Sequence, residues 1–531
     1  MPAARRIRLQ ARPHACNPLS VQPASRKPTL LAAVSGRADG FAAPASVAWL
    51  LLGVLTPLPA TAQPAPGTPP AAVESVDSAV ATEPFSAFRE AFDAGRYEAA
   101  VPHAQRVLEL ATAAAKNPAD EEVQVAVMNL AMVQYLAGDY VAAEATYSRA
   151  IDLIEASGRP LHARLARAYA GLASTYHGGN RHELAVQNFE RAVSLTRRHE
   201  GLLTEAQLPL LEKYIDSLTE LGRYPDALKG WKYVLRVATR KQGQASPALA
   251  PTLERIGRWY TKVGLYDQAR RTLHRAIEIV EAAEGDDSPQ LMGPLTALAQ
   301  CNRRQVIDPT QRLVGSDADR ATLYHDPSMP AGSGVSAATL LAEGERSLLR
   351  AAAIAEERAD ASPVQVADVR TQLGDWYQSR ALPERALPHY RKAWLAASHV
   401  QQKVDGKPVV DALFGQPLLL QIVRPEGWDR YAARPPDEFE TRHVVVEFTV
   451  DAEGRAVRPK VIDDSGDSKR ADRTTAALES ARYRPRFENG QPVATAGVTF
   501  TQPWTLPLQA PAGDAAPSGR EPAPDSKEAR T

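Results

Sequence analysis

Sulfur and aromatic rings are scarce in this chain of 531 residues, which has two cysteines, five methionines and an aromatic content of 6%. Cys16 lies near the start and Cys301 is the only other thiol, so no disulfide framework braces the fold. Net charge of one sign is also missing. The 62 Lys and Arg balance 62 Asp and Glu, and the basic stripe that nucleic acid requires is absent. The balance hides an asymmetry: residues 1–62 hold seven of the bases and only Asp39 among the acids, leaving 55 bases against 61 acids in the remainder. The chain contains no Gly-x-Ser-x-Gly elbow, no phosphate-binding Gly-rich loop and no Cys-x-x-Cys pair. Histidines such as His389 and His399 have no partner histidine one helical turn away. The expectation is a protein without catalytic residues, metal or small-molecule cofactor.

What the chain has instead is a period. Six turns follow one plan: Gly95-Arg96-Tyr97, Gly138-Asp139-Tyr140, Asn180-Arg181-His182, Gly222-Arg223-Tyr224, Gly264-Leu265-Tyr266 and Ala381-Leu382-Pro383. The first five are spaced 43, 42, 42 and 42 residues apart, and the last gap of 117 leaves room for another unit and an insertion. A fixed period of this size marks a helical solenoid. After each turn a small residue, a bulky one and another small or branched one fall at spacings of four and three. Examples are Ala143, Tyr147 and Ala150, then Ala185, Phe189 and Ala192, then Ala386, Tyr390 and Ala393. Those spacings share one helix face, where small residues let two helices approach. The hidden unit is expected to pair a helix near Pro289–Asn302 with one near Ala337–Glu357, using Gly344, Leu348 and Ala351.

The first helices carry a matching signature in Leu172-Ala173-Ser174-Thr175-Tyr176, Ile256-Gly257-Arg258-Trp259-Tyr260 and Leu373-Gly374-Asp375-Trp376-Tyr377. Residues 85–400 thus resemble an array of tetratricopeptide repeats, with units longer than the family's usual length of about 34 residues. The insertion at 303–335 is rich in Asp, Pro, Gly and Ser.

Both ends differ. No charge occurs between Asp39 and Glu74. The nine-residue apolar run Val47–Leu55 fits a secretory core and is far short of the roughly 20 residues that span a bilayer. Ala60-Thr61-Ala62 offers a cleavage site, so 1–62 reads as a leader, 63–84 as a flexible lead-in, and the mature protein as periplasmic. After a Pro-punctuated linker at 401–437, β-propensity rises in His443–Val450. A hairpin turn at Asp451–Gly454, a strand over Ala456–Ile462, a helix capped by Asp467 or Ser468 and a last strand over Val493–Gln502 follow, with a tail at 509–531. The run Val446–Arg455, the triplet Tyr483-Arg484-Pro485 and the stretch Asn489–Val493 look like the C-terminal domain of the energy transducer TonB, covering 438–508. The fold class expected is therefore mainly α: a solenoid followed by a small β-β-α-β unit.

The resemblance implies protein–protein contacts. Related sheets receive a short peptide strand by β-augmentation, which nominates Val498, Thr499 and Phe500 on the last strand. In the solenoid, Tyr135, Arg258 and Lys262 are candidate groove positions for a mixed-charge protein ligand. The expected function is a non-enzymatic periplasmic scaffold whose partners are envelope proteins, an outer-membrane transporter or peptide segment among them. The alternative is a TonB-type transducer held at the inner membrane by the uncleaved apolar run.

Overall fold

The computed structural model describes residues 82–158, 163–307, 335–357, 361–401, 403–404, 406–423 and 439–507, all within one compact unit, Val54–Thr531. The leader, most of the lead-in, insertion residues 308–334 and the tail lie outside them.

Seven helix pairs follow one another: α1 (Thr82–Asp93) with α2 (Tyr97–Ala114), α3 (Glu121–Leu136) with α4 (Tyr140–Ala156), α5 (Ala163–Gly178) with α6 (His182–Glu200), and α7 (Leu208–Glu220) with α8 (Tyr224–Gln242). Then come α9 (Ala250–Lys262) with α10 (Tyr266–Glu284), α11 (Met292–Ile307) with α12 (Ala337–Glu356), and α13 (Pro363–Ser379) with α14 (Pro383–Ser398). The sixth pair is the unit hidden in the long gap. Each of the six patterned turns places one residue at positive φ, from 56° at Ala381 to 81° at Gly138. The next residue donates its N–H five residues back, as from Arg181 to Tyr176 O (2.8 Å) and from Leu382 to Tyr377 O (3.0 Å). This is the Schellman closure, and it explains why glycine or asparagine recurs at that position.

The small–bulky–small face is buried in every patterned unit, with Ala143, Ala150, Ala185, Phe189, Ala192, Leu273 and Ala393 fully enclosed. Where the bulky residue is a tyrosine the facing helix offers a glycine. A Cβ on Gly171 would stand 2.2 Å from the Tyr147 ring, and one on Gly374 would stand 2.3 Å from Tyr390. Cys301 is buried in the core between α10 and α12, and burial pushes its thiol up to about 11, so it should not react with thiol reagents in the folded protein.

The C-terminal region centres on a three-stranded antiparallel sheet in the order β5 (Ala456–Asp463), β4 (Phe439–Val450), β9 (Thr495–Pro507), with α16 (Ser468–Glu479) packed on β4 and β5. Asp467 caps α16 by accepting from Arg470 N. The first part of the stretch expected to be a linker holds built elements, and its residues 424–437 lie outside the described residues. Residues 403–421 hold a two-residue hairpin of β1 (Lys403–Val404) and β2 (Lys407–Pro408), then α15 (Val409–Phe414) and β3 (Leu418–Gln421). β3 pairs with β6 (Arg482–Arg484). Two further short strands, β7 (Arg486–Glu488) and β8 (Gln491–Val493), form their own hairpin. Pro408 ends β2 and precedes α15, while Pro425, Pro435 and Pro436 lie outside the described residues, and Val409 and Phe414 bury α15 against the array.

Candidate functional site

Two surfaces of this architecture are candidate sites: the face of the array lined by first helices, and an edge of the sheet. On the first, residues of successive helices meet across the repeat. His177 Nδ1 lies 2.8 Å from Ser217 Oγ, Lys262 Nζ lies 2.7 Å from Glu220 Oε1, and Arg255 Nη2 lies 3.1 Å from Glu212 Oε1. Arg258 bonds Glu254 (2.8 Å) and reaches Gln300 (2.9 Å) in the next unit. The charged residues of this face are therefore largely rungs of an internal ladder. Arg258 and Lys262 both belong to it.

Tyr135 sits elsewhere. Lys213 Nζ donates to its hydroxyl (3.2 Å) and to Ser174 Oγ (3.4 Å), so α3, α5 and α7 converge on one ammonium. Burial pulls the Lys213 ammonium down to about 8. Asp216, three residues on along α7, is pushed up to about 6 by loss of hydration. Burial, with the charge of His182 and Lys213, lowers His177 to about 4. His389, stacked on Tyr377 with ring centroids 5.4 Å apart and bonded to Arg370 (3.0 Å), is lowered to about 4 by burial and that guanidinium.

Both depressed imidazoles stay neutral when folded but charge when unfolded, so stability is lost as pH falls from 6.5 toward 4. Asp216 opposes this, since its raised folded value favours the native state as pH falls through about 6 toward 3.8. Two histidines against one aspartate give a melting temperature expected to drop on acidification. In melts across that range the double variant His177→Gln, His389→Gln should show a visibly shallower drop. An unchanged slope would mean these rings do not set it.

The sequence missed Lys213, Ser174 and Ser217. Their only signal is recurrence at about one repeat: Ser174 and Lys213 are 39 residues apart, and His177 and Ser217 are 40 apart. Among the described residues no cluster of His, Cys, Asp or Glu suits a metal ion, and no helix is long and apolar enough to cross a membrane.

On the sheet, β9 pairs with β4 along one side only. His443 donates its N–H to Ser465 Oγ on the β5 side (3.3 Å), which fixes the parity of the ladder. The His443–Pro503 pair is thus one whose backbone groups face away from each other. Stepping by two along the register, the N–H and C=O of Thr501 and Thr499 also point away from β4, toward an edge that no other described strand occupies. Val498 and Phe500 face the ladder instead, and the Phe500 side chain is buried. Gly497, at φ 72°, sits where the register slips, and Pro503 ends the run of donors, so the exposed edge is short.

The C-terminal region does not hang free of the array. Arg484, in β6, donates Nε and Nη2 to the Asp375 carboxylate of α13 at 2.8 and 2.6 Å and Nη1 to Leu413 O at 2.8 Å. Tyr390 Oη donates to the same carboxylate (2.9 Å). Both charged side chains are almost fully buried, at 2% and 0% exposure. Around them the tilted rings of Phe414 and Phe487 have centroids 5.0 Å apart, and Tyr390 meets Phe487 edge-on at 5.6 Å. Gln378 donates to Glu453 O at 2.6 Å beside Gly454, where any Cβ would lie 2.1 Å from Tyr483 O. One hydrophobic core runs from α8 through α14 into Phe487.

Comparison with known proteins agrees with this architecture. Residues 122–198 and 250–290 match tetratricopeptide repeat families, and residues 440–504 match the Gram-negative bacterial TonB protein C-terminal family. No curated protein matches the chain. Similar solved structures include the TPR-like repeats of a kinesin light chain from Podosopora anserina, at 15% identity, covering 38% of this chain and 96% of that one, with a TM-score of 0.35. BtubC from P. vanneervenii shares 19% identity over 45% of this chain and 96% of its own, with a TM-score of 0.33. Aspartyl phosphate phosphatase F from Bacillus subtilis shares 13% over 61% and 71%, with a TM-score of 0.34. These scores are low, and the architecture is read from the helix pairs themselves. The chain carries tetratricopeptide repeats and a TonB-like C-terminal domain, which together make a protein-interaction scaffold.

Proposed function

We propose that this protein is an exported, non-enzymatic scaffold of the periplasm that holds segments of envelope proteins at two places. The array's first-helix face takes one, and the free edge of β9 receives an extended strand from a partner such as an outer-membrane transporter. The observation that carries the reading is the edge itself, where Thr499 and Thr501 turn their backbone groups outward. Backbone donors and acceptors of this kind give β-augmentation most of its affinity. Export rests on the apolar run Val47–Leu55 and Ala60-Thr61-Ala62.

Thr499→Pro tests the edge, because it deletes an outward N–H while leaving the ladder to β4 bonded. In crosslinked pull-downs from intact envelopes the full chain with Thr499→Pro should lose the partners that the parent retains, at an unchanged melting temperature. An identical set of partners would remove β9 as the docking strand. The rival reading, a membrane-anchored transducer, is separated by the intact mass of the native protein. Gln63 as first residue supports export with cleavage after Ala62, and retention of Leu50–Leu55 supports the anchor.

A further inference from the structure

A cavity of about 310 Å³ opens between α3, α5, α7 and the end of α6, lined by Met128, Met132, Ala170 and Leu210, by Tyr147 of α4, and by the charged or polar Arg167, His199 and Glu200. Its position relative to Lys213 follows from helical register. Met132 precedes Tyr135 by three residues on α3, Ala170 precedes Ser174 by four on α5, and Leu210 precedes Lys213 by three on α7. On each of three neighbouring helices the residue lining the cavity therefore stands one turn, about 5 Å, from a member of the Tyr135–Ser174–Lys213 cluster. The Lys213 ammonium donates to two hydroxyls and has no ion-pair partner among the described residues, although Asp216 is three positions on along the same helix. A half-buried cation bonded only to neutral oxygens retains an unmet attraction for an anion.

We propose that this is a two-part recognition site for a partner polypeptide that presents a bulky apolar side chain and, about 5–7 Å away, an acidic one. The apolar group fills the space beside Met128 and Met132, whose flexible thioethers adapt to varied shapes. The carboxylate completes the coordination of Lys213. The inference rests on the array acting as a binding surface, and it adds the chemistry of what is bound.

The probe is 8-anilinonaphthalene-1-sulfonate, an apolar ring system carrying one anion, titrated by fluorescence into the full chain. N-phenyl-1-naphthylamine, which lacks the sulfonate, serves as its neutral counterpart. Saturable binding is expected. Lys213→Gln should weaken the anionic probe by about tenfold and leave the neutral one unchanged, while Met128→Trp should weaken both. If Met128→Trp melts early, Met128→Gln at the same partly exposed position serves instead. Equal responses of the two probes to Lys213→Gln, or undiminished binding to the Met128 variants, would overturn the site. The blocked peptide acetyl-Ala-Phe-Ala-Glu-Ala-amide should displace the sulfonate, and versions with Phe→Ala or Glu→Gln should not. Displacement by dodecanoate without displacement by the peptide would make the occupant a small amphiphile and overturn a polypeptide partner. The titration involves neither β9 nor an envelope partner, so its failure leaves the strand-docking reading intact, and the reverse holds.

Discussion

Replacing either member of the Asp375–Arg484 pair should cost the folded protein about 3–5 kcal/mol in urea denaturation, because removal of one partner strands a charge in a dry interior. The bonds at 2.8 and 2.6 Å leave the carboxylate no contact with water. The two substitutions should not be equal. Burial lowers the Arg303 guanidinium while the Asp375 charge raises it, so this partly exposed arginine feels the field of the same carboxylate. After Arg484→Met, the field of Arg303 still offsets part of the Asp375 charge, whereas Asp375→Asn leaves the buried Arg484 guanidinium with no counter-charge. The larger loss is therefore expected from Asp375→Asn. The double variant Asp375→Leu, Arg484→Met removes both charges and should recover much of the stability. If both single variants lose less than about 1 kcal/mol, the pair is solvated and the module is not fixed through it.

That fixation bears on function. A domain carried on a flexible tether can reach for its partner, but here Phe414 of α15 and Phe487 of β7 share a core with α13 and α14, and Gln378 of α13 bonds the turn between β4 and β5. The sheet's free edge is presented in a set orientation to the last repeats. If β9 docks a strand as proposed, that strand would be held at a fixed place beside the last repeats.

The repeats were legible because their signal is local and repeated: a turn that needs positive φ, and a small–bulky–small triplet on one helix face. The hairpin and the helix cap of the C-terminal unit were legible for the same reason, since Gly454 and Asp467 act within a few residues of themselves. Contacts between distant segments were not. Arg484 and Asp375 are 109 residues apart, and nothing local to Tyr483-Arg484-Pro485 says that its arginine crosses to a helix of the array. Phe414 lies in a six-residue helix beside Pro408, too short for apolar periodicity to register, so 401–437 read as a linker. The groove candidates were found as charged residues on the correct helices, but their partners were invisible because each rung joins neighbouring units. Tyr135 was found without the Lys213 that bonds it.

Ala185→Arg should be severe. Ala185 has no exposed surface and lies in a cluster with Tyr147, Ala173, Tyr176 and Phe189, where α6 meets its neighbours. A guanidinium on a long stem has no room there. Overpacking costs about 1–3 kcal/mol, and burying an unpaired charge adds to it, although outward bending of the side chain offsets part of the penalty. The fair control is Arg181→Ala, one turn earlier on the same helix cap. From the sequence Arg181 is an exposed turn residue, but in the structure its guanidinium lies 4.4 Å from the Tyr176 ring centroid and pairs with Glu144 of the preceding unit. An exposed ion pair and a cation–π contact of this kind together contribute about 1 kcal/mol. Urea midpoints should therefore place Arg181→Ala slightly below the parent and Ala185→Arg several kcal/mol below it. Because each repeat is stabilised mainly by its neighbours, hydrogen exchange in Ala185→Arg should rise first in α4, α5 and α6. Equal losses for the two variants would mean that the helix face containing Ala185 is not the one that packs.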